Sequence, residues 1–536
     1  MRHLPLSLAA TFCVLFLGAP LLVMAWSTVF SEDGFTLQAY GQLLAEPIDR
    51  LQMRNTLALG ATSTVIALLL GGGHAFLTHR TDMPGAAWLA PLGAAPLAIP
   101  PIVVAMGFSD LGKTWGFSVS GFMICALLLG ISYAPLVAVM TARGLRSVDG
   151  RAYEAVLLTR GRAPAERMLL RMVRPEIAAG CLFALVFVVS EHGVPEFLTV
   201  KGKTWHTYAE GVFARWTRRA TGVSHADLVS PIVAAVPLLL IIAVALFFAL
   251  RLRAHTDLRS VRPPLPRRSL GRLRIPALLL PLVYLGAGIG VPLVVLSRWA
   301  AGSTQVDTPM GFAQVRHNVQ AAFSQAGTDL TTTIVVAAAT AVLVLLIAMP
   351  IAFRAAGRWP VLQHLSVVPI AVPAILLGMG LVKVWNSPLV ADWLYSWSGD
   401  FYGTAGLLTC GYAARFLPFG VLALTQSLQR QAASVGEAAQ LSARTPLARF
   451  LRIRLPLLMP AGWSAMCLVF VLGLRELDLA VVLPAGNETV VRRLSNVVHF
   501  GGEDMGGALA LMLLGVAVLV PLIVVLVTGR RLTSLS

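Results

Sequence analysis

Residues Glu437–Pro460 read EAAQLSARTPLARFLRIRLPLLMP, an arginine-rich stretch between two long apolar runs. A related stretch begins at Glu154 and reads EAVLLTRGRAPAERMLLRMVRPEI. In the stretch from Glu437, apolar residues recur at three-, four- and seven-residue steps, which is the spacing of one helical face. Pro456 and Pro460 then mark the bend into the next apolar run. Both stretches are therefore predicted to be short amphipathic elements between membrane-length segments.

The composition of the chain is that of a membrane protein. Of its 536 residues, 57% are hydrophobic and 12% are charged, and the mean hydropathy is +0.77. A soluble domain carries about 25% charged residues. Isolated strands in lipid would leave backbone groups without hydrogen-bond partners, so the spanning segments must be helices. The predicted fold class is therefore an all-α integral membrane protein.

Apolar runs of membrane length divide the whole chain. A bilayer is crossed by about 20 apolar residues. Twelve runs meet this length, with approximate extents 5–28, 55–78, 88–108, 119–142, 176–198, 229–250, 275–297, 330–353, 361–383, 402–425, 457–483 and 507–529. We interpret the first run as a retained helix, because no clear small-residue cleavage site ends it.

The net charge of +17 follows the topology. Arginines cluster in alternate gaps between the apolar runs, which is the positive-inside pattern and predicts that both termini are cytoplasmic. One outer gap, 199–228, carries five basic residues against this trend. No basic face separate from the membrane runs is left for nucleic acid, so this class of partner is not expected.

Motif pairs at a nearly constant spacing indicate duplication of a six-helix unit. Their offsets range from 273 (373 − 100) to 285 (476 − 191). The pairs are Thr56 and Thr333, Pro100 and Pro373, Pro175 and Pro456, Glu191 and Glu476, and Thr204 and Thr489. Each unit has an even number of runs, so the two repeats are predicted to be parallel.

The duplication predicts a division of the chain into three parts. The first repeat covers 1–250, with its core at about 51–250 and a docking loop at 151–175. A Pro- and Arg-rich cytoplasmic linker covers 251–274. The second repeat covers 275–536, with its core at about 328–530 and a docking loop at 432–456.

The paired loops resemble those of the permease subunit of bacterial binding-protein-dependent ABC importers, which have the type I fold. The resemblance is strongest to the branch with two permease copies fused in one chain, as in ferric-iron and thiamine importers. The family loop begins Glu-Ala-Ala, has a Gly at a turn and ends Ile-x-Leu-Pro. The matching residues are Glu437, Ala438, Ala439, Ile453, Leu455 and Pro456, and Ser442 stands where the family has Gly. The first loop keeps Glu154 and Ala155, and its Gly161 is displaced.

The resemblance implies that this chain is the membrane-spanning permease of an ATP-driven importer in the bacterial inner membrane. The two loops would dock two copies of a cytoplasmic ABC ATPase. A periplasmic solute-binding protein would deliver a small solute, for which thiamine and ferric iron are candidates. ATP hydrolysis would lie on the separate ATPase, so the chain is expected to have no catalytic residue. No cofactor or metal site is expected either, and the five cysteines have no metal-ligand spacing.

Ionisable residues at membrane depth are costly and usually face a cavity or a partner. Glu191 and Glu476 lie in the fifth and eleventh runs, and Arg415 lies in the tenth. One interpretation is that they line the translocation path. The other is that the glutamates sit at the watery outer ends of their runs and only pair with basic neighbours such as Arg475.

Three other interpretations of the sequence have less support. A twelve-helix secondary transporter shares the number of runs and the parallel duplication, but it gives the paired Glu-Ala loops no role. A membrane-embedded enzyme lacks support from any metal cluster, nucleophile–base arrangement or cofactor fingerprint. Residues Gly107–Thr114, GFSDLGKT, match the phosphate-loop pattern, but they follow a membrane run rather than a strand, so a nucleotide site is not expected.

Overall fold

A computed structural model describes most of the chain. The described residues are 4–31, 34–35, 37–199, 205–220, 230–253, 263–302, 311–357, 359, 361–366, 368–387, 392, 396, 401–431, 445–484, 488–500 and 503–533. Helices dominate these residues, as expected where the backbone must satisfy its own hydrogen bonds. The described strands are β1 (Phe30–Ser31) and β2 (Gly34–Phe35), which pair antiparallel.

The first half of the chain contains thirteen described α-helices. They are α1 (Leu4–Cys13), α2 (Ala19–Val29), α3 (Gln38–Ala45), α4 (Pro47–Ala67), α5 (Gly73–Arg80), α6 (Ala86–Leu92), α7 (Pro101–Trp115), α8 (Phe122–Ser147), α9 (Gly150–Arg160), α10 (Arg162–Ser190), α11 (Gly193–Thr199), α12 (Tyr208–Ala220) and α13 (Pro231–Arg253). The π-helical turns Val14–Gly18 and Leu68–Gly72 continue α1 into α2 and α4 into α5, and a 3₁₀ turn covers Ala95–Ala98.

The second half follows a related order. Its described α-helices are α14 (Leu279–Leu285), α15 (Val291–Ala301), α16 (Phe312–Ala355), α17 (Val361–Leu365), α18 (Val368–Ala371), α19 (Ala374–Trp385), α20 (Ala405–Arg430), α21 (Pro446–Arg449), α22 (Leu455–Leu474), α23 (Asp478–Val482), α24 (Val490–Phe500) and α25 (Glu503–Thr533). The 3₁₀ turns Gly271–Arg274 and Pro276–Leu278 precede α14, and the π-helical turns Gly286–Gly290 and Phe450–Arg454 precede α15 and α22.

Membrane-length helices confirm the predicted fold class. In the described part of the chain, 10 helical segments are long and apolar enough to cross a membrane, and the number is up to 12 if two bent helix pairs also count. The ten are Leu6–Val29, Pro47–Arg80, Phe122–Ser147, Arg162–Ser190, Pro231–Phe248, Gly271–Ala301, Phe312–Ala355, Ala405–Gln429, Phe450–Leu474 and Met505–Val524. Leu22, Leu240 and Leu346 are among the large apolar side chains left exposed. The chain is a multi-pass membrane protein.

Two predicted runs, 88–108 and 361–383, are not straight helices. The first consists of Ala86–Ala98 and Pro101–Trp115, with a bend of 94°, and the second of Val361–Ile370 and Ala374–Trp385, with a bend of 93°. Pro100 and Pro373 stand at the two bends with extended backbone. A proline lacks the N–H that would continue a helix, and it disfavours helical backbone in the residue before it. The paired prolines therefore break both runs at equivalent positions.

The first helix of each half packs against the other half. Gly380 lies so close to α2 that an added Cβ would stand 2.8 Å from Met24 Sδ and 2.9 Å from Pro20 Cβ. In the other direction, a Cβ on Gly107 would stand 3.3 Å from Pro292 Cα. Small residues let membrane helices approach to this distance. The two halves are thus interlocked.

Helices α12 and α24 rest on the long spans of their own halves through matched contacts. The backbone N–H of Tyr208 donates to Thr56 Oγ1 at 2.7 Å, and that of Val490 donates to Thr333 Oγ1 at 2.9 Å. The ion pairs Arg215–Asp49 and Arg493–Asp329 add a second tie in each half. These equivalent contacts agree with the predicted duplication.

The structure changes one pairing of the repeat. The hydroxyls of Thr207 and Thr489 accept from the backbone N–H groups of Glu210 and Arg492, both at 3.4 Å. Thr207 is therefore the counterpart of Thr489. Thr204, the predicted counterpart, lies outside the described residues.

Candidate functional site

A cavity of about 380 Å³ lies between the two halves. Its walls include α8 and α10 of the first half and α20 and α22 of the second half. On α20 it extends from Arg415 to Gln426, which is roughly 16 Å along a helix at 1.5 Å per residue. Most of its lining is apolar, and its charged residues other than Arg143 concentrate at one end.

The charged end of the cavity is built by two helix breaks. Helix α10 ends at Ser190, and Glu191 follows before α11 begins at Gly193. Helix α22 ends at Leu474, and Glu476 follows before α23 begins at Asp478. The predicted runs 176–198 and 457–483 are therefore interrupted rather than continuous. A break frees backbone groups, and Glu476 Oε1 accepts one of them, the N–H of Leu479, at 3.2 Å.

On the first-half side, Glu191 is held by an aromatic hydroxyl. Tyr133 Oη donates to Glu191 Oε2 at 2.6 Å. Arg475, from the second half, places its guanidinium 5.7 Å from the centre of the Tyr133 ring and donates to Leu97 O at 2.6 Å. Residues of both halves thus meet around Tyr133.

On the second-half side, Arg415 is the centre of the charges. Its guanidinium donates to Glu476 Oε1 at 2.8 Å and lies 3.9 Å from Asp478 Oδ2. The other oxygen of Asp478 lies 2.9 Å from Nδ1 of His192, which belongs to the first half. Buried charges persist in a protein only when they are paired in this way. The two pairs of Arg415 lie within the second half, and the contact of His192 with Asp478 links them to the first half.

All three predicted path residues meet at this cavity. Glu191, Glu476 and Arg415 line its wall together. Glu476 is paired with Arg415 rather than with its neighbour Arg475. Their role in transport stays a prediction. Tyr133 was not predicted, because a tyrosine in an apolar run carries no signal of its own.

The first predicted docking loop consists of two helices joined by a tight turn. Helix α9 ends at Arg160, α10 begins at Arg162, and Gly161 between them has φ +81°. This backbone conformation favours glycine, so the displaced Gly161 does form the turn. Glu154 and Ala155 are exposed on α9, and Leu158 near its end is 86% exposed.

The second predicted docking loop lies largely outside the described residues. Glu437, Ala438, Ala439 and Ser442 are not described. The next described residue is Thr445, and α21 continues through a π-helical turn into α22. Predictions for those four residues therefore remain predictions.

The phosphate-loop-like stretch Gly107–Thr114 lies inside helix α7. Arg298 pairs with Asp110 and donates to Thr114 Oγ1 at 2.9 Å. A phosphate loop needs its backbone N–H groups free to face the ligand. The helix uses these groups internally, which agrees with the expectation that the match has no nucleotide-binding role.

Comparison with known proteins identifies transport permeases as relatives. No family model matches the chain. The chain is 23% identical over 491 residues to the Fe(3+)-transport system permease protein FbpB 2 of Haemophilus influenzae. The aligned region covers 89% of this chain and 90% of that relative. It is also 27% identical over 220 residues to the molybdate/tungstate transport system permease protein WtpB of Pyrococcus furiosus, covering 39% of this chain and 82% of that relative. The similarities confirm that the chain resembles, over nearly its whole length, the permease proteins of ABC transport systems.

Proposed function

We propose that the chain is the membrane-spanning permease of an ATP-driven ABC importer and forms the path for a small solute. Its halves are two parallel permease repeats, 1–250 and 275–536, joined by the cytoplasmic linker 251–274. It lies in the bacterial inner membrane with both termini in the cytoplasm. It works with two copies of an ABC ATPase and with a periplasmic solute-binding protein.

The observation that carries this proposal is the cavity between the halves. Charges at membrane depth mark paths for solutes in transport proteins, and residues of both halves supply them here. Because the contact of His192 with Asp478 and the hydrogen bond from Arg475 to Leu97 O cross between the halves, a relative movement of the halves would break and re-form them. That is the property required of a path which opens alternately to the two sides.

The matches to relatives support the duplication. The WtpB relative matches 39% of this chain with 82% of its own length, which is the proportion expected of one repeat. The related FbpB 2 protein matches the chain almost from end to end. A fused pair of permease copies would explain why one relative matches part of the chain and the other matches nearly all of it.

The substrate class is proposed from the same relatives. The relative with near-full-length similarity is named for ferric iron, so ferric iron is the first solute to test. Molybdate and tungstate, named in the shorter relatives, come next. Thiamine stays a prediction from the family resemblance.

The test of the proposed function is co-purification of an ABC ATPase, which we expect to be encoded by a neighbouring reading frame. Glu437→Lys should remove the second docking contact, because a basic side chain replaces the acidic start of the loop. Leu158→Asp should remove the first contact, because it places a charge where an apolar surface is expected to seat. The double variant should recover no ATPase while still inserting into the membrane.

A matched control is Leu273→Asp, which changes a leucine that is 66% exposed outside both loops. It should recover as much ATPase as the unchanged chain. Wild-type recovery from the double variant would contradict the docking role. Solute uptake by the purified chain without any ATPase would instead support a secondary transporter.

A further inference from the structure

The segment that joins the two halves lies on the first docking loop. Pro263 O accepts a hydrogen bond of 3.0 Å from the N–H of Gly150, at the start of α9. Leu265 packs against a small apolar cluster that includes Tyr153 of α9 and Leu169 of α10. The end of the linker is therefore in direct contact with both helices of the loop.

The linker also pairs with the end of a membrane span. The N–H of Arg268 donates to Arg80 O at 2.7 Å, and the N–H of Asp82 donates to Arg268 O at 3.0 Å. The carboxylate of Asp82 accepts from the N–H of Leu270 at 2.9 Å, and its backbone O accepts from Arg274 Nε at 2.8 Å. These bonds fix residues 268–274 along the residues that follow α5.

The approach of the linker to the loop leaves no room for a side chain. A Cβ added to Gly150 would stand 2.4 Å from Pro264 O and 3.0 Å from Pro263 O. The clash would be with backbone, which cannot rotate away as a side chain can. Gly150 thus permits the close contact.

Arg80 joins the span, the linker and the loop. It is 2% exposed, and its guanidinium donates to Pro266 O of the linker. It also lies 3.3 Å from Glu166 Oε1 of α10 and 4.7 Å from the ring centre of Tyr153 of α9. Tyr153 Oη donates to the same Glu166 oxygen at 3.1 Å. Burial raises the pKa of Tyr153, so its hydroxyl stays a donor at neutral pH.

At the repeat offsets of the neighbouring motif pairs, the second half has glycine in place of Arg80 and Tyr153. At the offset of Thr56 and Thr333 (333 − 56 = 277), the counterpart of Arg80 is Gly357. At the offset of Glu154 and Glu437 (437 − 154 = 283), the counterpart of Tyr153 is Gly436. Neither glycine has a side chain to offer. The arrangement of Arg80 and Tyr153 is therefore associated with the linker and is not shared by the two repeats.

We propose that residues 263–270 form a fixed strap that holds the first docking loop against the membrane-spanning core, with Arg80 as its positioning residue. The strap would make the two docking loops unequal, because the chain has one linker and its residues 263–270 contact the first loop. The consequence of the strap for ATPase binding rests on the proposed function. The effect of the strap on the position of the first docking loop does not depend on that function.

The test measures hydrogen–deuterium exchange of the purified chain in detergent, without ATPase. In Arg80→Met, the amides of residues 150–160 are expected to exchange at least ~10-fold faster, since charge-assisted hydrogen bonds to the linker and to Glu166 are lost. Gly150→Ala should give the same change with Arg80 intact, because the added methyl group displaces the strap. Arg272→Met, which alters an exposed linker arginine outside the strap, should leave this exchange unchanged.

Unchanged exchange in both Arg80→Met and Gly150→Ala would overturn the proposal, and Gly150→Ala keeps it testable if Arg80→Met does not fold. A second readout combines Gly150→Ala with Glu437→Lys. ATPase recovery from the combined variant is expected to be at least ~10-fold lower than from Glu437→Lys alone. This is the change in affinity expected when one hydrogen bond between the strap and the loop is lost. If neither Glu437→Lys nor Leu158→Asp affects recovery, the docking function fails while the exchange result still decides the strap.

Discussion

Arg415 balances the negative charges of two carboxylates at the cavity. Its side chain is 12% exposed and faces two carboxylates, those of Glu476 and Asp478. Removing one partner of a buried pair costs about 3–5 kcal/mol, whereas removing both partners costs much less. We therefore expect Arg415→Met alone to lower the apparent melting temperature in detergent more than Arg415→Met with Glu476→Gln. An equal or larger loss in the double variant would show that the pair is not energetically coupled.

The role of the two glutamates in transport requires a separate measurement. Glu191→Gln combined with Glu476→Gln keeps the shape of both side chains and removes both charges from the cavity wall. We expect solute uptake by vesicles containing the full transporter to fall at least ~10-fold, because charges at membrane depth are kept for function. Glu488→Gln, outside the cavity, is the control. Unchanged rate and affinity in the double variant would exclude the path role.

The sequence predicted the charged residues of the cavity but not their partners. Glu191, Glu476 and Arg415 could be recognised because charges are rare in apolar runs. The contact between His192 and Asp478 joins residues 286 positions apart (478 − 192), and only the packing of the two halves creates it. Tyr133 could not be recognised, because its hydroxyl becomes significant only through its bond to Glu191.

At the scale of elements, the amphipathic helices α12 and α24 are each held by one ion pair to a long span. Asp49→Asn should weaken the tie of α12, and Asp329→Asn should weaken that of α24, because each loses the charge that pairs with arginine. Amide exchange should increase by roughly 5- to 30-fold in the affected helix only, for a loss of about 1–2 kcal/mol. Each variant is the control for the other. An increase in both helices from one substitution would contradict independent ties.

The sequence predicted twelve apolar runs of membrane length but not where they are interrupted. Hydropathy averages over a window, so a two-residue break inside an apolar run leaves the average high. The stretch after Ser190 contains Gly193 and Pro195, which could have indicated the first break. The stretch after Leu474 has no glycine or proline at all before Pro484, and its break is set by the bonds of Glu476 and Arg415. The bends at Pro100 and Pro373 were visible as paired prolines, but their angles depend on packing.

At the scale of the whole molecule, we predict that the first bent pair crosses from one membrane face to the other. It begins shortly after Arg80, which contacts the linker, and ends near Thr114. Arg298 bonds to Thr114 and lies near the far end of the span Gly271–Ala301, whose other end adjoins the linker. If the second bent pair crosses in the same way, the described helices make twelve crossings. An even number places both termini on the same side.

This topology predicts which surface positions can be reached from outside. In a variant without the five native cysteines, Ser118→Cys should react with a membrane-impermeant maleimide added to spheroplasts, because it follows α7 at the face opposite the linker. Leu158→Cys should react only after the membrane is disrupted, because α9 lies on the arginine-rich side, which is predicted to be cytoplasmic. Both positions are exposed in the structure, so burial does not account for a difference. Labelling of Leu158→Cys in intact spheroplasts would contradict the predicted topology. It would place the first docking loop outside the cell membrane, where no ATPase could bind it.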